Sequence, residues 1–395
     1  MELAGWEVNM ERALSGVKVL DLSLNLPGLY LAWLMACMGA QVLKVENPVG
    51  GDYSRGLSGE GGGESPYFAA INRGKKSLAL NLKDSAGRDI LLRLLEDYDV
   101  LLEGFRPGVM ARLGLDHSLL SQVQPRLIHL SISGYGQQGS LAQRAGHDIN
   151  YLALAGVLAA TGSCDGGLAI PGVQIADLAG GSLLGLSGVL AALYQRERTG
   201  RGQHVDAAMF DGSVSMATLV WAGVQAGIDA PRPAGMTLNG AFPCYNLYRT
   251  KDGGWFSVGA LEPKFWQAFC AALERPELLD KQFAGPEITE EVAAIFVGRS
   301  RDEWTEFWAV YDACCEPVLS LPEAVASPLV RERGMVEPLD QGVQLACPLK
   351  MSGSPQAPTA PPPALGQDTM AVLAGLGLSQ AEIENMAGRG VVGLA

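Results

Sequence analysis

A chain of 395 residues, about half of them hydrophobic, can bury a core large enough for two domains, or for one large domain with a lobe inserted in it. A net charge of −13 argues against nucleic acid, which needs a basic surface, and against an anionic membrane surface. An anionic substrate must therefore find a local basic patch that works against the global field.

The first third alternates strands with helices. Val17 to Asp21 reads as a strand, and Pro27 starts a helix that runs to about Met38. Gln41 to Glu46 is a second strand, followed by a Gly-rich loop from Gly50 to Gly63. Ser77 to Leu82 is extended. Ser85 to Leu95 is an amphipathic helix with Ile90, Leu91 and Leu94 on one face. Asp99 to Leu102 and Arg126 to Ser133 are further strands. This alternation predicts an α/β fold with a doubly wound parallel sheet, whose ligands bind at the carboxyl ends of the strands. Leu178 to Tyr194 is 17 residues without charge, a little short for a membrane span and dense in Gly, Ala and Ser. It reads as a buried, close-packed helix, and no membrane partner is expected. After the turn at Arg198 to Gln203 come a short strand, His204 to Ala207, and a helical run, Met209 to Ala226. Residues 230–335 read as a separate lobe. It holds a hairpin of Tyr245–Tyr248 and Trp255–Val258, then helices Pro263–Leu273 and Arg301–Val310. A Pro-rich linker, Pro348 to Pro363, leads to a last helical piece from Asp368 to Met386.

Seven cysteines (Cys37, Cys164, Cys244, Cys270, Cys314, Cys315, Cys347) show no CxxC spacing, which predicts a reducing, cytosolic setting with mostly buried thiols. The acidic N-terminus, with three glutamates in its first eleven residues, fits neither a signal peptide nor a presequence. A cytoplasmic location is therefore expected. The four histidines are well separated in sequence, so a zinc site is not expected.

The chemistry-bearing residues are few. Gly146-His147-Asp148-Ile149-Asn150-Tyr151 places one histidine in a compact polar cluster, and histidine suits proton transfer near neutral pH. Asp177 heads the long apolar segment, where it serves either as a helix N-cap or as a carboxylate facing a cleft. Glu262, just before a helix, is either a first-turn acid or the group that orients His147. Lys75, Arg106 and Arg112 are cationic candidates beside strand ends, where a doubly wound sheet presents phosphate contacts. No Walker motif and no GxGxxG at a strand–helix junction is present, so ordinary dinucleotide binding loses support.

Several of these pieces converge. Val19-Leu20-Asp21, Gln41 to Glu46, Asn72-Arg73-Gly74-Lys75-Lys76-Ser77, Glu103-Gly104-Phe105-Arg106-Pro107-Gly108, Ser133-Gly134-Tyr135-Gly136-Gln137, the His147 cluster, Ala176-Asp177, Arg198 to Gln203 and Asp312-Ala313-Cys314 together resemble the family III CoA-transferases (CaiB/BaiF) from about residue 16 to 395. The Gly-His-Asp-Ile-Asn-Tyr string and Ala260 to Phe265 are similar to the α-methylacyl-CoA racemase branch of that family. The resemblance implies His147 and Asp177 as two acid/base groups that invert the α-carbon of a 2-methylacyl-CoA through an enolate, with Glu262 supporting the histidine. It implies a CoA moiety contacted by Lys75, Arg106, Arg112, Asp148 and Tyr151, and no metal or further cofactor. The alternative is CoA transfer between a thioester and a carboxylic acid with Asp177 as nucleophile. A third reading is a non-catalytic acyl-CoA-binding scaffold. The resemblance also implies an interlocked homodimer, with a Rossmann-like large domain over residues 1–210, a small domain over 225–335, and a C-terminal part over 345–395 that returns to the large domain. Asn47, Val173 and the Asn239 to Pro243 stretch depart from the racemase pattern and bear on the substrate.

Overall fold

A computed structural model describes residues 12–57, 65–163, 167–339, 342–354 and 360–395. The N-terminal glutamates, Cys164, and parts of the Gly-rich loop and the Pro-rich linker lie outside the described residues. The chain divides into two compact units. One is Met1–Tyr151, Gln174–Ser213 and Gly334–Ala395; the other is Leu152–Val173 and Val214–Arg333.

The first unit is built on a sheet whose strands are β1 (Lys18–Asp21), β2 (Gln41–Glu46), β3 (Lys76–Leu80), β4 (Val100–Glu103), β5 (Ile128–Ser133) and β6 (Gln203–Ala208). These six are parallel and run in the order 3-2-1-4-5-6, which is the Rossmann order. Strands β1 to β5 are buried along nearly their whole length, as expected for a parallel sheet covered on both faces. The helix Ser85–Leu95 is capped by Asp84 and buries Ile90, Leu91 and Leu94, the face its spacing predicts.

The helix Leu26–Cys37 buries ten of its twelve residues. The long apolar segment forms one helical run, Ala176–Thr199, long and apolar enough by composition to cross a membrane. It packs on Leu26–Cys37, β5 and β6.

The second unit contains β7 (Tyr245–Arg249), β8 (Trp255–Gly259) and β9 (Cys315–Pro317), which pair antiparallel in that order. The predicted hairpin is thus present. Its core is aromatic: Trp266, Phe269, Phe296, Trp304 and Trp308 are buried together. The two Trp266 and Trp304 ring N–H groups donate to the carbonyls of Leu278 (2.9 Å) and Phe296 (2.8 Å), so neither is stranded.

Strands β10 (Val336–Pro338) and β11 (Val343–Leu345) form a two-stranded pair in the first unit. The chain ends in β12 (Val392–Gly393), which pairs antiparallel with β3 and makes the sheet mixed. Several elements differ from the sequence reading. The helical run predicted over 209–226 is two helices, Met209–Met216 and Thr218–Gln225. The piece predicted over 368–386 is also two, Thr369–Gly375 and Gln380–Gly388. They are separated at Gly377, whose φ of 85° only glycine adopts without strain. Helices Pro66–Asn72, Asp148–Leu154 and Pro286–Phe296 were not anticipated.

Histidines far apart in sequence meet on one face of the sheet. His129 on β5 pairs in register with His204 on β6, and their rings lie 4.8 Å apart. His117 stacks on His204 at 5.2 Å. Burial, then the neighbouring His204 and His117, hold His129 down to about 3. The native state therefore keeps His129 neutral where the unfolded chain would protonate it. Stability is lost as pH falls below about 6.5 toward 3, at up to about 1.4 kcal/mol per pH unit. We expect His129→Leu to flatten this acid limb, measured as the urea midpoint between pH 6.5 and 4. Equal slopes in the two proteins would exclude His129 as its source.

Candidate active site

The carboxyl ends of β1, β4, β5 and β6 open on a cavity of about 380 Å³. Asn25, Arg106, Arg144, His147 and Tyr151 line it. A second cavity of about 260 Å³ lies beyond β1, β2 and β3, where Leu24, Asn47, Leu82 and Lys83 form the wall. Phe105, just after β4, lines both. The strand order reverses between β1 and β4, so the two cavities flank the topological switch point where open sheets bind ligands.

The loop after β4 is held from below and from the side. The Glu103 carboxylate accepts from the Phe105 backbone N–H at 2.7 Å, and Gln143 donates to the Pro107 carbonyl at 2.8 Å. Arg106 is left exposed on the cavity wall.

His147 is exposed at the start of the helix Asp148–Leu154, with its backbone N–H bonded to Asn150 Oδ1 at 3.0 Å. Tyr151 fixes the loop that delivers it. The Tyr151 hydroxyl donates to the Gly146 carbonyl at 2.6 Å. Its ring fills a notch made by two glycines: a Cβ at Gly134 would lie 2.6 Å from it, and one at Gly146 2.8 Å. Burial, then Asp177, pushes the Tyr151 phenol up to about 12.

Asp177 does not cap a helix from outside, as one sequence reading had it. The helix has already begun at this point, and Asp177 sits in its first turn. That turn opens a π-helix, Ala176–Leu183, which continues as an α-helix from Leu184. π-helical turns are uncommon and concentrate at functional sites. Small residues permit this one: at Gly212 an added Cβ would lie 2.4 Å from the Gly180 Cα. The Ser182 hydroxyl ties the segment to the Pro27 carbonyl at 2.7 Å. Asp148, the residue after His147, accepts from the Asp177 backbone N–H at 3.0 Å. The sequence candidates His147, Asp148, Tyr151 and Asp177 are therefore joined in one unit by short bonds. Burial, then the Asp148 charge, raises the Asp177 carboxyl to about 7.

Other candidates fall elsewhere. Glu262 belongs to the second unit, where it is exposed at the N-cap of the helix Pro263–Ala272 with no side-chain cap bond. Lys75 is fully buried, and its ammonium bonds to Asp21, Leu29 and Asn72. That corrects its reading as a CoA contact, since no donor is left for a ligand. Tyr151 likewise spends its hydroxyl on the Gly146 carbonyl. Arg112 is exposed at the end of the helix Val109–Arg112, outside both cavity linings. Sequence reasoning missed Asn25 and Arg144. The signal for Arg144 was a cation two residues before Gly146; for Asn25 there was none beyond its place after a strand. Among the described residues no group of three or more His, Cys, Asp or Glu could hold a metal ion.

The family model described as CoA-transferase family III matches residues 14–369. The chain belongs to this family. Among family relatives, the α-methylacyl-CoA racemase of Homo sapiens is 36% identical over 378 residues, covering 94% of this chain and 95% of that protein. The succinyl-CoA:glutarate CoA-transferase of Homo sapiens is 31% identical over 382 residues, covering 93% and 86%. The crystal structure of a CaiB/BaiF family protein from Brucella suis superposes with a TM-score of 0.80 at 27% identity, covering 93% of this chain and 100% of that one. Membership in CoA-transferase family III makes the chain an enzyme of CoA-transfer or isomerase chemistry.

Two outcomes test the Asp177 environment. Asp148→Asn keeps the oxygen that accepts from the Asp177 N–H but removes its charge. We expect the Asp177 titration, followed by carboxyl-carbon NMR, to move to lower pH while staying above the ordinary 3.8 because burial persists. Because the folded-state value of Asp177 is raised, its ionisation costs stability as pH rises from 3.8 through about 7. Asp177→Asn should therefore be more stable than the parent at pH 8, by about 2 kcal/mol, in a denaturant titration.

Proposed function

We propose that this protein racemises or epimerises 2-methylacyl-CoA thioesters, with His147 and Asp177 as the two acid/base groups. The observation that carries the proposal is a carboxyl held near neutrality, linked through Asp148 to an exposed histidine at the switch point of the sheet. One group takes the α-proton. The electron pair moves into the bond toward the thioester carbonyl and forms an enolate. The opposite group returns a proton to the other face. A carboxyl titrating near 7 is suited to either step, and so is a histidine.

The two flanking cavities suit an elongated ligand, with CoA lying past Phe105 toward Asn47 and Lys83, and Arg106 and Arg144 meeting its anionic groups. We further propose a homodimer in which Glu262 of one chain supports His147 of its partner. What supports this is that Glu262 is exposed and makes no side-chain cap bond, so its carboxylate is open to a partner chain.

A second reading, CoA transfer with Asp177 as nucleophile, is favoured by the same raised carboxyl. A more basic carboxylate attacks a thioester better, and relatives such as the human succinyl-CoA:glutarate CoA-transferase carry that activity in their names.

The deciding experiment incubates a panel of 2-methylacyl-CoA thioesters in D2O, with and without carboxylic acid acceptors. Racemisation predicts deuterium at the α-carbon without any acceptor, and at least a hundredfold loss in His147→Ala. Transfer predicts no exchange, CoA appearing on the acceptor, and a trappable acyl group on Asp177.

A further inference from the structure

Away from this site, two cysteines separated by most of the chain meet in the first unit. Cys37 is the last residue of the helix Leu26–Cys37, and Cys347 lies two residues past β11. Both are buried. Their meeting can be traced through Arg73. The Arg73 guanidinium sits 5.1 Å from the Trp33 ring centroid, and Cys37 follows Trp33 by four residues, on the same helix face. From there Arg73 Nη2 donates to the Leu345 carbonyl at 2.8 Å, two residues before Cys347. Each thiol is the first influence on the other's titration, Cys347 on Cys37 and Cys37 on Cys347. Arg73 is itself 4% exposed, and its Nε and Nη1 find no hydrogen-bond partner among the described residues. A buried guanidinium with two idle donors next to a thiol pair is an electrostatic invitation to a thiolate.

We propose that Cys37 and Cys347 form an oxidation-responsive dithiol, which closes to a disulfide on exposure to a peroxide. Cys347 Sγ, as thiolate, attacks one peroxide oxygen and becomes a sulfenic acid; the other oxygen leaves as hydroxide and takes up a proton to become water. Cys37 Sγ then attacks the sulfenic sulfur, and that hydroxide also leaves as water with the Cys37 proton. Two thiols lose two electrons and two hydrogens, and one peroxide becomes two waters. The assignment of roles follows the pair's polarity. The neighbouring Cys37 holds the Cys347 thiol down, despite burial and with Lys350 helping, whereas the neighbouring Cys347 and burial push the Cys37 thiol up. Glu337 opposes a thiolate at both positions, and Arg73 offsets it at Cys37. The cross-link would join the helix that follows β1 to the segment that returns after β11, with no change to His147 or Asp177.

The test uses the folded, full-length protein and hydrogen peroxide near equimolar with it, followed by alkylation under denaturing conditions and peptide mass spectrometry. The expected product is a Cys37–Cys347 peptide pair two hydrogens lighter than the two thiols and released by dithiothreitol. The exposed Cys314 should remain alkylatable at the same dose, because Asp312 and Glu262 beside it, after burial, push its thiol up. In Cys37→Ser, Cys347 should stop at a sulfenic acid that dimedone traps. Alkylation of both Cys37 and Cys347 while Cys314 is oxidised would overturn the proposal, and the wild-type measurement decides this even if the variant fails to fold.

Discussion

The carboxyl edge of the sheet depends on one buried ion pair, Lys75 with Asp21 at 3.0 Å, both side chains wholly excluded from water. The three protons of the ammonium are matched by Asp21, the Leu29 carbonyl and Asn72 Oδ1. The bond set joins the end of β1 to the helix that follows it and to the helix before β3. Burial still lowers Lys75 to about 8, whereas at Asp21 the pull of Lys75 and Lys44 outweighs burial and keeps the carboxylate ionised. Removing either partner would leave a bare charge in the core, a loss of about 3–5 kcal/mol. Lys44 extends the array to Asp52 at 2.9 Å and to the Ser23 carbonyl. Glu46 takes both arms of Arg55 and the Ser77 hydroxyl, and Ser77 in turn accepts from the Gly366 N–H. The C-terminal return of the chain is thereby fastened to β2 and β3.

This array also explains which residues are free to act. The buried charges Asp21, Lys44, Glu46 and Lys75 near β1 to β3 are matched by ion pairs, whereas the acid/base candidates lie elsewhere, His147 on the loop after β5 and Asp177 on the π-helix. Tyr151 serves structure: it holds His147 in place by filling a notch that only Gly134 and Gly146 leave open. Asp177 differs. Its backbone is bonded to Asp148, but its carboxyl is left with a like charge nearby and little water, the arrangement that brings a carboxylic acid toward neutrality.

What the sequence made legible follows from what is local. The strand–helix alternation of residues 17–133, the buried face of Ser85–Leu95 and the Tyr245–Val258 hairpin are short-range patterns, and each is present. The residues His147, Asp148 and Asp177 were legible as a group because motifs mark them; that Asp148 holds Asp177 was not, since it joins positions 29 apart. The break at Gly377 was readable only as a weak glycine signal inside an apolar run. The π-helix was not readable at all, because its sequence is that of a small-residue α-helix and only packing against Pro27 and Gly212 distinguishes it. Lys75 shows the opposite failure. A cationic turn before a strand suggests an anion site, and only the fold reveals that Asp21 already occupies it. The same holds for the histidines, well separated in the chain yet stacked by the register of β5 on β6.

The acidic balance of the chain gains a structural meaning at the strand ends. Asp21 accepts from the Ser23 N–H at 3.0 Å, Glu46 from the Asp52 N–H at 3.0 Å, Glu103 from the Phe105 N–H at 2.7 Å, and Asp206 from the Gln137 N–H at 2.9 Å. Four carboxylates, each at or near the end of a parallel strand, thus hold the backbone of the loops that line the carboxyl edge. A carboxylate is a stronger anchor for a backbone N–H than a neutral acceptor, so loops that must stay exposed can still be fixed. The arrangement has an electrostatic consequence. Lys75 already compensates Asp21 and Arg55 compensates Glu46, so the charge an anionic ligand meets at this edge is that of Glu103 and Asp206, and cations on the loops there are suited to offset it. Arg106 and Arg144 stand there on the cavity wall. The acids beneath shape the site, and the arginines above make it habitable for an anion.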